Sequence, residues 1–184
     1  MENTENVTIE NYLKKIGFEE EDIEYILKYA ENEIDSKILH EKIKYLISLG
    51  LNARQIRIVI EEDITFVTEN LELIKSNGEI LKKYLNPEEV VNTLEVTPEL
   101  LTIAQNELER NINLLSLLIT DKEVLKIIIQ DRGEILTYKP DYLSDKFSFL
   151  INNGLKENIL KILIENIEIF ELDNDEINIE DLKF

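Results

Sequence analysis

The chain of 184 residues contains no cysteine and no tryptophan, one histidine, three prolines and five glycines. Each shortage excludes something. Without cysteine there are no disulfides, thiolate zinc sites, iron–sulfur clusters or thiol nucleophiles. With His40 as its one imidazole, flanked by Leu39, Glu41 and Lys42, the chain has little material for a Ser-His-Asp triad. His40-Glu41 does not begin a His-Glu-x-x-His zinc site, because Lys44 stands where the second ligand belongs. The five glycines are isolated, so no phosphate-cradling loop can be assembled from them. The longest apolar runs, such as Ile127-Ile128-Ile129, are too short to span a bilayer. An acidic tail at Asp173-Asn174-Asp175-Glu176 lacks the glycine and the final glutamate of a calcium loop, with Asn178 and Phe184 in their places. No catalytic residue, cofactor site or metal site is expected, and the chain reads as a non-enzyme.

Positive charge is also scarce: 20 Lys and Arg face 39 Asp and Glu, for a net −19. The imbalance sits at the ends, with −8 over residues 1–36 and −7 over 165–184, against −4 over the 128 residues between. Acidic ends on a nearly balanced body suit the solvated caps of a repeat array. They also suit a surface that captures a basic partner. The N-terminus, Met-Glu-Asn-Thr-Glu-Asn, has neither the basic and apolar segments of a signal peptide nor the arginines of a transit peptide, so a cytoplasmic address is expected. Abundant Ile, Asn, Lys and Glu suggest an AT-rich genome of a bacterium or phage.

What the chain does contain is a repeat. Gly17, Gly50, Tyr84, Leu118 and Gly154 are spaced 33, 34, 34 and 36 residues apart. Four residues before each mark stands Leu13, Leu46, Ile80, Leu114 or Leu150; one residue after it stands Phe18, Leu51, Leu85, Ile119 or Leu155. Further apolar positions follow at +6 (Ile23, Ile56, Val90, Val124, Leu160) and +10 (Leu27, Ile60, Leu94, Ile128, Ile164). This period with helical patterning predicts an all-α fold: a right- or left-handed α-solenoid of about five repeats in one domain. The units run roughly over 9–42, 43–76, 77–110, 111–146 and 147–180. Three of the five glycines fall at the mark, where a helix ends and a positive φ is needed. Asn86-Pro87-Glu88-Glu89 and Thr120-Asp121-Lys122-Glu123 read as helix starts, the second as a capping box from Thr120. Longer helices are expected over 106–118 and 141–153. Residues 176–180 are the one weak strand candidate.

The strings Leu46-Ile-Ser-Leu-Gly-Leu-Asn-Ala-Arg-Gln-Ile56, Leu150-Ile-Asn-Asn-Gly-Leu-Lys-Glu-Asn-Ile159-Leu160 and Val90-Val-Asn-Thr-Leu-Glu-Val-Thr-Pro98-Glu-Leu-Leu101 resemble the repeat of the mitochondrial transcription termination factor (mTERF) family. That resemblance, over roughly residues 9–170, implies a left-handed, curved solenoid that grips double-stranded nucleic acid through a basic concave face. In this chain the family's proline is matched at Pro98, and the overall balance is acidic.

Two functions follow. In the first, the chain is a binding module for a basic protein partner, acting as adaptor, inhibitor or decoy. Its contact residues would be the carboxylates Glu19, Glu20, Glu21 and Asp22, with Tyr25, Tyr29, Tyr138 and Tyr142, which do not recur with the repeat; tyrosine is favoured at interface hot spots. Tyr12, Tyr45 and Phe149 do recur, five residues before a mark, and are expected to pack between repeats. In the second, Arg54, Arg57, Lys75, Lys82, Lys83, Lys122 and Lys126 form a basic stripe in the middle repeats that binds nucleic acid.

Overall fold

The computed structural model describes residues 9–29 and 36–183. The acidic first residues, read above for a targeting signal, and Phe184 lie outside that set. The described residues are all-helical, with no strand among them. They are arranged as helical repeats, as the periodicity predicts. The chain divides into two compact units, Met1–Thr102 and Ile103–Phe184.

The first unit contains α1 (Ile9–Lys15), α2 (Glu20–Tyr29), α3 (Ser36–Leu49), α4 (Ala53–Glu62), α5 (Leu71–Leu81) and α6 (Pro87–Val96). Short 3₁₀ turns, Ile64–Val67 and Pro98–Leu101, follow α4 and α6. Like elements stack: α1 against α3, α3 against α5, and α4 against α6. The second unit contains α7 (Gln105–Leu118), α8 (Lys122–Asp131), α9 (Pro140–Asn152) and α10 (Ile159–Glu165), with 3₁₀ turns at Gly133–Thr137, Lys156–Asn158, Ile167–Phe170 and Ile179–Leu182. There α7 packs against α9. Each helix has 14 residues or fewer, too short to persist alone in water, so burial of the apolar stripe against neighbours supplies most of its stability. Most of the repeat frame lines that stripe: Leu13, Leu46, Ile80, Leu150, Phe18, Leu51, Leu85, Ile119 and Leu155 are buried, whereas Leu27, Leu114 and Val124 are half-buried and Leu160 and Ile164, the +6 and +10 positions of the last repeat, are exposed.

The helix ends follow from local chemistry. Gly17, Gly50 and Gly154 have φ of 97°, 105° and 79°, the left-handed conformation that lets the chain leave α1, α3 and α9. Asn52 and Asn86 make capping boxes with Gln55 and Glu89, and Pro87 takes the first helical position of α6. At α8 the cap is Asp121 rather than Thr120: its carboxylate accepts from the Glu123 and Val124 amides. An ionised acceptor at a helix start gains from the dipole as well as the hydrogen bond, which a threonine cannot match. The weak strand candidate over 176–180 has no partner strand; the Asn178 side chain instead accepts from the Glu180 amide and opens the Ile179–Leu182 turn.

A polar device recurs with the repeat. Lys42 on α3 donates to the carbonyls of Phe66 and Val67 at 3.1 and 2.8 Å. Asn77 on α5 donates to the Leu101 carbonyl (3.2 Å), and Asn111 on α7 to those of Leu136 (2.9 Å) and Tyr138 (2.7 Å). Lys146 on α9 donates to the Leu172 carbonyl. All four donors are buried. They stand seven or eight residues before Gly50, Tyr84, Leu118 and Gly154, so four of the five marks are preceded by a donor that satisfies carbonyls in or just after a 3₁₀ turn. Tyr45 likewise crosses from α3 to α5, donating its hydroxyl to the Lys75 carbonyl at 3.2 Å above Gly78. That matches the packing role expected of its repeat position.

Candidate binding surfaces

The proposed contact residues fall into two places, one in each unit. On α2, Ile23 and Ile26 are buried, which turns the remaining faces outward. Glu19, Glu20 and Glu21 are exposed and Asp22 is half-buried. Glu20 pairs with Lys14 at 3.0 Å, and the Asp22 carboxylate accepts from the Glu19 amide at 3.3 Å, fixing the first turn. Tyr25 and Tyr29 are 60% and 41% exposed. Their i, i+4 spacing places both on one face, with Asp22 a further i−3 from Tyr25. The surface is thus acidic and aromatic, and close-packed apolar residues lie directly behind it.

In the second unit, Tyr138 and Tyr142 stack with ring centroids 5.7 Å apart and planes inclined by 24°. With Lys139, Phe170 and Glu171 they line an open depression of about 540 Å³. The rings are held from below. The Tyr142 hydroxyl donates to the Phe170 carbonyl at 2.6 Å, and Asn111 fixes the Tyr138 carbonyl. Phe147 meets Phe170 edge to face at 5.2 Å. Burial, followed by the nearby carboxylate of Glu171, raises the Tyr138 phenol above its ordinary pKa, and burial followed by Asp173 does the same for Tyr142. Both therefore stay protonated and neutral near pH 7.

The seven cations of the expected stripe are divided: Arg54 and Arg57 on α4 and Lys75, Lys82 and Lys83 on or beside α5 in the first unit, Lys122 and Lys126 on α8 in the second. Five have carboxylates close by. Arg54 reaches Glu95 at 2.7 Å, and Arg57 Nε lies 3.2 Å from Glu61. Lys75 meets Glu72 at 3.1 Å, Lys82 meets Glu79 at 2.7 Å and Lys126 meets Glu123 at 2.6 Å. The Gln55 amide, and after it Arg54, holds the Glu95 carboxyl below its ordinary pKa. Arg57 also donates to the Gly17 carbonyl at 3.2 Å, tying α4 to the turn after α1. Lys83 and Lys122 form no ion pair among the described residues.

His40 packs its ring against Tyr12, centroids 4.8 Å apart and planes inclined by 65°. Among the described residues no three histidine or acidic side chains converge as a metal ion would require. None of the described helices is long and apolar enough to cross a membrane. Reading the sequence missed the buried donors Lys42, Asn77, Asn111 and Lys146, although each stands seven or eight residues before a repeat mark. It also missed Phe170 and Glu171, which only the packing of the 167–170 turn against α9 brings beside the tyrosines.

The mTERF family model matches residues 24–173, from inside α2 to just past the Ile167–Phe170 turn. The chain belongs to the mTERF family. The match takes in residues of both compact units and includes all four recurrent buried donors. Comparison with curated proteins gave no match.

Proposed function

We propose that this mTERF-family chain is a non-enzymatic binding module that engages a basic protein partner through acidic and aromatic surface. The observation that carries this reading is the pairing of its cations. Arg54, Arg57, Lys75, Lys82 and Lys126 each have a carboxylate of the same chain within 3.2 Å. Such exposed pairs are weak and could open, but the carboxylates would remain beside any phosphate that displaced them. A nucleic-acid backbone would gain little by releasing counterions to cations already paired in this way. By contrast, Glu19, Glu20 and Glu21 on and before α2 stand exposed beside Tyr25 and Tyr29, the combination that attracts and then buries against a cationic protein surface. By occupying the nucleic-acid-binding face of such a partner, the chain would act as adaptor, inhibitor or decoy.

Family membership favours a second reading, because mTERF proteins typically bind nucleic acids. It would use the seven named cations, with Lys83 and Lys122 as the first to meet phosphate.

Fluorescence anisotropy separates the two. A labelled cationic peptide and labelled duplex DNA and RNA are each titrated with the full chain at low and at physiological salt. Binding of the peptide, weakened by salt and by Glu20→Lys with Glu21→Lys, supports the acidic module. Tight duplex binding whose salt slope falls in the Arg54→Ala, Arg57→Ala variant overturns it and establishes the second reading.

A further inference from the structure

The depression beside α9 has a composition that selects its occupant. Two of its walls are the rings of Tyr138 and Tyr142, and Glu171 supplies a carboxylate at the rim. Of the two cations there, Lys139 belongs to the lining and Lys146 lies beneath it, and each has a partner of its own. Lys139 is held by both carboxylate oxygens of Glu107 at 3.0 and 3.2 Å, and the buried Lys146 ammonium donates to the Leu172 carbonyl. Glu134 is near enough to Tyr138, and Asp173 near enough to Tyr142, to disfavour their phenolates. Tyr142 is already a cation receptor on one side, with the Lys146 ammonium 5.3 Å from its ring centroid. An anionic ligand would meet Glu171; a cationic one would meet ring faces and a carboxylate together. The rings are also pinned by Tyr142 to Phe170 and by Asn111 to Tyr138, so little order would have to be created on binding.

We propose that this depression is a subsite for an arginine side chain of a protein partner, the guanidinium lying against the Tyr138 and Tyr142 rings and donating to the Glu171 carboxylate. Arginine fits better than lysine because its planar, weakly hydrated head stacks on a ring while its N–H fork engages a carboxylate. The inference rests on the reading of the chain as a binder of basic protein and assigns one contact within it, on the opposite unit from α2.

The test is tyrosine-resolved NMR on the full chain with three probe pentapeptides: Ac-Gly-Gly-Arg-Gly-Gly-amide and its lysine and citrulline counterparts. Citrulline keeps the planar shape and removes the charge. The arginine peptide is expected to move the Tyr138 and Tyr142 ring signals saturably, the lysine peptide less, and the citrulline peptide hardly at all. Glu171→Gln, at an exposed position, should weaken the arginine peptide about tenfold, as should Tyr138→Leu, while Glu88→Gln, exposed on α6 of the first unit, leaves it unchanged. Equal shifts with arginine and citrulline, or an unaltered affinity in Glu171→Gln, would overturn the subsite. Shifts confined to Tyr25 and Tyr29 would also overturn it while leaving the basic-partner reading intact. Failure of that broader reading has its own signature, the duplex binding described above.

Discussion

Replacing Lys42 with methionine should change the pH dependence of stability more than stability itself. The Lys42 side chain is 1% exposed and donates to two backbone carbonyls. Burial holds its ammonium at about 8, against the usual 10.5, with Glu69 opposing the shift. For a base, a depressed folded-state pKa means that the unfolded chain binds the proton more tightly. Protonation therefore favours unfolding, and the contribution to stability rises as pH climbs from about 8 towards 10.5. Integrated from ~pH 7 to ~pH 10, the gain is about 2–3 kcal/mol. Tyr45, which burial and Glu79 push up to about 12, acts in the opposite sense: its contribution is lost as pH rises from 10 through 12. The difference between wild type and Lys42→Met cancels that effect and every other shared titration. At ~pH 7 methionine relieves a buried charge worth about 3 kcal/mol but leaves the Phe66 and Val67 carbonyls unpaired at about 1–3 kcal/mol each, so the two proteins should be close. By ~pH 10 the wild type should have gained about 2–3 kcal/mol on the variant. Urea unfolding followed by far-ultraviolet circular dichroism across this range measures it. A difference that does not vary with pH would refute the reasoning, since a lysine in contact with water has no such slope in this window.

Gly78→Ala should destabilise the first unit by about 1–3 kcal/mol, even though alanine is the better helix former by about 1 kcal/mol. A Cβ there would lie 2.1 Å from the Tyr45 hydroxyl oxygen; calorimetry should show part of the loss recovered when Tyr45→Phe is added. Asn111→Ala should lower the stability of the second unit by about 2–4 kcal/mol, read as a shift of the urea midpoint, because a buried carbonyl and a half-buried one lose their donor. It should also broaden the Tyr138 ring signals, since the Tyr138 carbonyl is one of the two.

The residues that were legible in advance are those whose role depends on period alone. Leu46 and Leu51 flank Gly50 just as Leu150 and Leu155 flank Gly154, and any stacked helical unit must bury such a frame and turn after it, so both the core and the positive-φ glycines followed. Four of the ion pairs that neutralise the cations were legible too: Arg57 with Glu61 is four residues apart on α4, and Glu72 with Lys75, Glu79 with Lys82, and Glu123 with Lys126 are each three residues apart along or at the end of one helix. Arg54 with Glu95 was not, because those residues are 41 positions apart and meet only when α4 stacks on α6. The buried donors were hidden for a different reason. Lys42 and Lys146 lie on the apolar stripe of their helices, three residues after Leu39 and Leu143 and four before Leu46 and Leu150, where a lysine is almost never fully buried unless paired. Their pairing is with carbonyls of 3₁₀ turns, whose termini offer acceptors that no side-chain pattern announces. The depression has the same origin: Tyr138 and Tyr142 are four residues apart and could be paired on paper, but Phe170 and Glu171 join them only because Tyr142 and Lys146 donate to carbonyls at 170 and 172. The polar ties that close each repeat are therefore also what builds the candidate arginine subsite, and a substitution that loosens the one at Lys146 should open the other.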